Sequence, residues 1–200
     1  YWQMLLWTLL EGLIPLIIFV LIRHFKKNTK LAVYCAGTVG IGLFLLSFAI
    51  LGKPDYLFLG ELAFILIFGW LSAYKDDPVW FKLQPIAIAT VVILGVGYLH
   101  FYGGGLVNLF LDQIMLFLPD NFKVMFENED FLAYAEITLS YSTMVSVFLH
   151  ASLVTFAAYH WSDSVWLALR AFGIYPIGLL VNVIIIQIYS VTVGMPVMPG

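Results

Sequence analysis

Two stretches of this chain, Leu31 to Leu51 and Pro85 to Leu99, run their whole length without a charged side chain. A water-soluble domain would alternate apolar and polar faces along such segments, because each element turns one side to solvent. Hydrocarbon as the surrounding solvent removes that demand. The whole chain follows suit: 62% of its residues are hydrophobic and 10% charged, and Lys and Arg fall almost entirely between long apolar runs. The expected fold is all-α, a polytopic transmembrane helical bundle. A transmembrane β-barrel would instead show segments of about ten residues alternating with period two, and the sequence has none.

A crossing takes about 20 residues at 1.5 Å rise each, so 200 residues with short connections hold about six spans in a single domain over 1–200. These are Tyr1 to Ile22, Leu31 to Leu51, Tyr56 to Tyr74, Pro85 to Tyr102, Ala133 to Ala158 and Val165 to Val191. The last two are longer than a bilayer requires and should tilt or begin in the interface. Between the fourth and fifth, Gly103-Gly104-Gly105 ends a helix and Leu106 to Leu118 is apolar but too short to cross. With Asn108, Asp112 and Gln113 near one side, 106–130 reads as an interfacial helix followed by an acidic loop from Pro119 to Asp130. A re-entrant hairpin is the alternative. The chain opens on Tyr1 rather than Met, so residues are expected before it. The first apolar run is read as a span and not a signal peptide, because basic residues follow it and no small-residue cleavage site appears.

Basic residues set the expected orientation. Arg23, Lys26, Lys27 and Lys30 lie in the first connection, Lys75 and Lys82 in the third and Arg170 in the fifth, against Lys53 and Lys123 in the second and fourth. That distribution favours odd connections in the cytoplasm and both termini outside. The net charge of −3 is spread over loops, which indicates neither a nucleic-acid footprint nor a polybasic lipid-binding tail. Cys35 is alone and inside a span, so an intramolecular disulfide and a Cys-based metal cluster are excluded. His24, His100, His150 and His160 show no spacing of a haem or metal site, and no cofactor is expected. Gly103 to Gly105 lacks the strand and helix that flank a phosphate cradle, and no Ser-His-Asp set points to catalysis.

In the second span Ala36 and Gly40, and likewise Thr38 and Gly42, are four residues apart. That spacing lets a neighbouring helix backbone come close where lipid supplies no hydrophobic drive. An ionised side chain at the bilayer centre costs at least ~2.5 kcal/mol, so the ionisable residues within spans need partners or work. Glu136, Ser140, Thr143 and His150 lie close to one face of the fifth helix. They read either as the lining of a small cavity or path, or as interhelical hydrogen bonding that fixes the bundle. Glu11 sits mid-way along the first span beside Gly12 and Pro15, where proline removes a backbone donor. Glu61 is close enough to a span end to reach headgroups, and Asn182 and Gln187 read as helix-to-helix glue.

Three separated stretches carry a resemblance. The first is Ile67-Phe68-Gly69-Trp70-Leu71-Ser72 followed by Asp76-Asp77-Pro78-Val79-Trp80-Phe81-Lys82-Leu83-Gln84-Pro85. The second is Val165-Trp166-Leu167-Ala168-Leu169-Arg170-Ala171-Phe172-Gly173-Ile174-Tyr175-Pro176-Ile177, and the third is Leu9-Leu10-Glu11-Gly12-Leu13-Ile14-Pro15-Leu16-Ile17-Ile18-Phe19. They resemble, in order and across nearly the whole chain, elements of the intracellular septation protein A family, also called the YciB or inner membrane-spanning protein family. The W-x-x-x-[KR]-x-F-G-x-x-P element is the most specific. Departures are Gln84 where the family usually has a second Lys, Trp70 in place of Gly, the long Gly103 to Asp130 region, and a basic connection after the first helix rather than the second. In both motif segments aromatics and one cation precede a proline: Trp80, Phe81 and Lys82 before Pro85, and Trp166, Arg170, Phe172 and Gly173 before Pro176. Rings and snorkelling cations of this kind prefer the headgroup level, so both segments are expected at one interface.

The resemblance implies a multi-pass protein of the bacterial inner membrane, involved in cell-envelope integrity and septation, with no established reaction. The expected function is therefore non-enzymatic, acting through helix contacts with other integral membrane proteins or with membrane lipids. A small transporter or lipid carrier using Glu136 and His150 beside Glu11 is one alternative. An accessory transmembrane subunit of a larger complex, docked through Gly103 to Asp130, is another. The oligomeric state is not legible.

Overall fold

In the computed structural model the described residues are 2–52, 56–117 and 123–192. They form nine α-helices and no strand. These are α1 (Trp2–Lys26), α2 (Thr29–Leu51), α3 (Tyr56–Lys75), α4 (Pro78–Lys82), α5 (Gln84–Phe101), α6 (Leu106–Phe117), α7 (Glu129–His160), α8 (Asp163–Phe172) and α9 (Ile174–Thr192), with a 3-10 turn at Val124–Glu127. Among the described residues five segments are long and apolar enough to cross a membrane: Thr29–Ile50, Phe58–Lys75, Pro78–Phe101, Glu129–His160 and Ile174–Thr192. The architecture is that of a polytopic helical membrane protein. The 25-residue α1 takes in the first expected span from Trp2 onward and runs four residues past Ile22. Leu118 of the expected interfacial helix and 119–122 of the expected acidic loop lie outside the described residues.

Local chemistry sets the helix ends. Asn28 accepts a hydrogen bond from the Leu31 N–H at 2.9 Å and starts α2, while Gly52, at φ +67°, closes it with its N–H on the Phe48 carbonyl. Asp77 caps α4 through the Val79 N–H, with Pro78 supplying the fixed φ of a first helical residue. Asn128 receives the N–H groups of Asp130 and Phe131 at the head of α7.

The sixth expected span, Val165 to Val191, is not one helix. It divides at Gly173 into the ten-residue α8 and the nineteen-residue α9. Pro176, in the first turn of α9, has no N–H to continue a helix from α8, and hydropathy does not register that.

Packing groups the chain into two compact units. The first comprises Tyr1–Ile88 and Ala151–Phe172, and the second Ala89–His150 and Gly173–Gly200. The core of the first takes Leu16, Phe19 and Val20 from α1, Ala32, Val33 and Ala36 from α2, Ile65 and Ala73 from α3, Phe81 from α4, Val154, Ala157 and Ala158 from α7, and Trp166 from α8. Phe19 and Phe81 stack at 4.0 Å between centroids. Ala36 is fully buried, and Gly40 sits where α1, α2 and α3 meet: a Cβ there would lie 2.9 Å from a Leu62 methyl and 3.5 Å from Pro15. Thr38 and Gly42 face outward, and a Cβ at Gly42 would meet nothing within 4 Å. In the second unit Tyr134 packs edge-on against Tyr189 at 5.3 Å, and its hydroxyl lies 3.4 Å from that of Ser190, tying α7 to α9.

Candidate functional site

The first unit joins the motif residues Lys82 and Trp166 with Asp163, Arg23 and Thr29 in an internal polar network. Asp163, in the first turn of α8, places Oδ1 2.6 Å from Lys82 Nζ and Oδ2 3.1 Å from Arg23 Nε. Arg23 also donates through Nη1 to Thr29 Oγ1 at 3.0 Å. Lys82 is 4% exposed, and its ammonium reaches the Ala158 carbonyl at 3.4 Å as well. Trp166, fully enclosed, donates its indole N–H to the Lys82 carbonyl at 3.2 Å. One carboxylate thus joins the first, third and fifth connections, the three that the basic-residue count places on one side. Burial alone would raise the Asp163 carboxyl, but the hydrogen bond and charge of Lys82, followed by those of Arg23, outweigh it and hold the group below its ordinary value.

Arg170, two turns further along α8, donates through Nη2 to Glu61 Oε1 at 2.8 Å. The other Glu61 oxygen lies against Gly12, where a Cβ would stand 2.5 Å away. Arg23 and Gly12 are eleven residues apart on α1, ~16 Å along its axis. Helix α8 therefore lies lengthwise beside α1. Trp166 and Lys82, expected among headgroups, are enclosed by protein: the indole N–H and the ammonium find their partners inside it. Phe81 and Pro85 are buried as well, Trp80 is 36% exposed, and Phe172 and Pro176 are exposed. Glu61 ends on Arg170 rather than among headgroups, and Glu11 is fully buried. The three stretches that carry the resemblance meet in this unit, through Phe19–Phe81, Trp166–Lys82 and Arg170–Glu61–Gly12.

Gly12 supplies a test of that geometry. Gly to Ala within a helix ordinarily stabilises by ~1 kcal/mol, but here the new methyl displaces a carboxylate pinned by Arg170. Gly12→Ala is expected to lower the thermal midpoint in detergent. In a Glu61→Ala background the same change should raise it, and a double-mutant cycle reads the sign reversal.

The second unit holds the other cluster, around Glu136 of α7. Oε1 accepts from Ser140 Oγ at 2.7 Å and lies 3.2 Å from His100 Nδ1; Oε2 accepts from the Val107 N–H at 2.6 Å. The carboxylate sits at the N-terminus of α6, where unpaired N–H groups and the helix dipole favour an anion. Gly104 and Gly105, at φ +82° and +101°, turn α5 into α6. A Cβ on Gly105 would lie 2.7 Å from Glu136 Oε2, so the position admits no side chain on either count. The Gly-rich turn thus cradles an anion of its own chain.

The proposed stripe of Glu136, Ser140, Thr143 and His150 is only partly the buried one. Ser140 and His150 are buried and Thr143 half-buried, while Thr138, Ser142, Ser146 and His150 form the buried row at spacing four. That spacing was visible in sequence; the hydroxyls hid among other small residues. Glu11 belongs to the first unit and Glu136 and His150 to the second. Asp163, Arg23 and His100 were not singled out as a site, because their partners are 140, 140 and 36 residues away. Among the described residues no three His, Cys, Asp or Glu side chains are grouped to hold a metal ion. Searches of protein-family models, curated proteins and solved structures each found nothing that matches this chain.

Proposed function

We propose that this chain is a non-enzymatic protein of the bacterial inner membrane, serving envelope integrity and septation through contacts of its membrane-facing surface with lipids and other integral proteins. The observation that carries the reading is how the motif cations Lys82 and Arg170 are used, together with Arg23, Asp163 and Glu61 outside the motifs. Arg23, Lys82 and Asp163, and Arg170 with Glu61, staple α1, α3, α4 and α8 to one another. With these five charges committed to one another, the first unit presents apolar and aromatic side chains such as Leu45, Phe48, Trp70 and Tyr74 outward between its exposed basic end and the far helix ends. The resemblance described above supports the envelope role. The carrier alternative has less behind it, since both Glu136 oxygens are engaged and the group anchors α6.

The test is a deletion strain together with affinity purification from native membranes in mild detergent. Expected are altered cell length or detergent sensitivity and specific co-purifying membrane proteins or lipids. A strain of normal length, resistance and lipid composition, with the chain recovered alone, would refute the reading.

A further inference from the structure

We propose that the groove between α2 and α3 binds one acyl chain and the phosphate of an anionic phospholipid, taken from the leaflet at the basic end of the first unit. This deepens the contact-based reading above and rests on it.

The groove has a volume of about 470 Å3 and opens sideways from the helix pair. Glycine makes its floor. A Cβ on Gly69 would lie 2.9 Å from a Val33 methyl, and one on Gly37 3.3 Å from a Leu66 methyl, so side chains at these positions would fill the cleft or push the helices apart. On α2 it extends from Lys30 to Ile41, eleven residues or ~16 Å. Half of a ~30 Å hydrocarbon core is nearly the same length, so the groove spans one leaflet.

Polarity is graded along it. The inner end is Ile41, Ile65 and Leu66; the outer end is Lys30 with Tyr34, Trp70 and Tyr74, whose side chains stand 65–71% exposed. Trp70 and Tyr74 stack at 5.6 Å, and Lys75 Nζ lies 5.6 Å from the Tyr74 ring centre. Rings with a polar edge, together with lysine, seat at the level of headgroups. Lys26, Lys27, Lys30 and Lys75 are all exposed at this end, against exposed Asp76 and a half-buried Asp77 that caps α4. Arg23 and Lys82 are already matched by Asp163. The surplus is positive and suits a headgroup with net negative charge.

The same rim disfavours a partner helix. Close helix contact brings axes to about 8–10 Å and needs small residues along the seam, whereas Tyr34, Trp70 and Tyr74 project from both edges. A flexible acyl chain passes between them.

The experiment is native mass spectrometry of the full chain in mild detergent with added dioleoyl phosphatidylglycerol or dioleoyl phosphatidylcholine. Wild type should retain one phosphatidylglycerol in preference to phosphatidylcholine. Lys30→Gln should cut that preference about fivefold, the effect of one basic residue near an anionic surface. Thr38→Phe, at an exposed position on the groove wall, should abolish retention of both lipids with helicity and elution volume unchanged. Equal retention of the two lipids, undiminished retention by Thr38→Phe, or a second copy or other polypeptide held in place of lipid would overturn the assignment. Lipid discrimination that fails while the deletion strain shows its envelope defect refutes the groove alone. Discrimination that holds beside a normal strain refutes the envelope role alone.

Discussion

An Asp163→Asn variant is expected to melt far below wild type in detergent. Removing one partner of a buried ion pair costs ~3–5 kcal/mol, because the remaining charge stays in low dielectric. Here two cations are left behind, and the Lys82 side chain is 5% exposed. Asp163 itself is 20% exposed, and Asn keeps one accepting oxygen, so roughly 3 kcal/mol is the reasonable figure. At 2–4 °C per kcal/mol for a chain of this size, the midpoint should fall by roughly 6–12 °C. Replacing the pair together, Lys82→Met with Asp163→Leu, should recover most of the loss, since the Lys82 ammonium no longer needs a counter-ion and Arg23 keeps Thr29.

Acid should erase the difference between wild type and Asp163→Asn. The folded carboxyl lies below its ordinary value, so its contribution is complete above the unfolded value and is lost as pH falls through the folded one. The gap between the two proteins should be widest at neutral pH and should narrow below about pH 4. A gap that persists unchanged to strong acid would show that geometry, not charge, is what the residue supplies.

The second large effect is expected at Gly105. An L residue held at a φ of +101° costs roughly 1–3 kcal/mol. The added methyl also lands 2.7 Å from Glu136 Oε2 and 2.8 Å from its carboxyl carbon. The carboxylate cannot retreat without giving up the Val107 N–H, a charge-assisted bond of roughly 1.5–3 kcal/mol. Gly105→Ala should therefore destabilise the second unit by several times RT and expose the Val107 amide to hydrogen exchange. Gly104→Ala is the control: φ is +82°, but a Cβ would touch nothing within 4 Å, so only the backbone term of roughly 1–2 kcal/mol applies. Equal losses from the two substitutions would mean that the clash with Glu136 is absent.

What could be read in the sequence follows from which forces are local. The spans were legible because hydropathy accumulates over neighbours: Leu31 to Leu51 and Tyr56 to Tyr74 differ from the observed helices by two residues or fewer at each end. The short amphipathic Leu106–Phe117 was legible for the same reason. The break at Gly173 was missed because Phe172, Gly173 and Ile174 are themselves apolar, although α8 with Asp163 and Arg170 is less so than α9. Glu136 and Ser140 were seen as neighbours because they are four apart on one helix. His100, on another helix, completes the same site and leaves no trace in the spacing. Asp163 falls between two expected spans and carries no motif, and its role depends on Arg23 and Lys82, which only folding brings near. The motif aromatics were placed at headgroups by general preference, and that rule carries no sign that Trp166 would be enclosed with its indole on the Lys82 carbonyl.

The first unit joins residues 1–88 to residues 151–172. During synthesis Arg23 must therefore wait for 140 further residues before Asp163 exists. At 5–20 residues per second that interval is roughly 7–28 s. Throughout it Arg23 is without its anion, and Lys82, once made, shares that state until Asp163 follows. Insertion factors that shelter cationic segments would be needed most in that window, and a chain truncated before Asp163 is a natural target for membrane proteolysis.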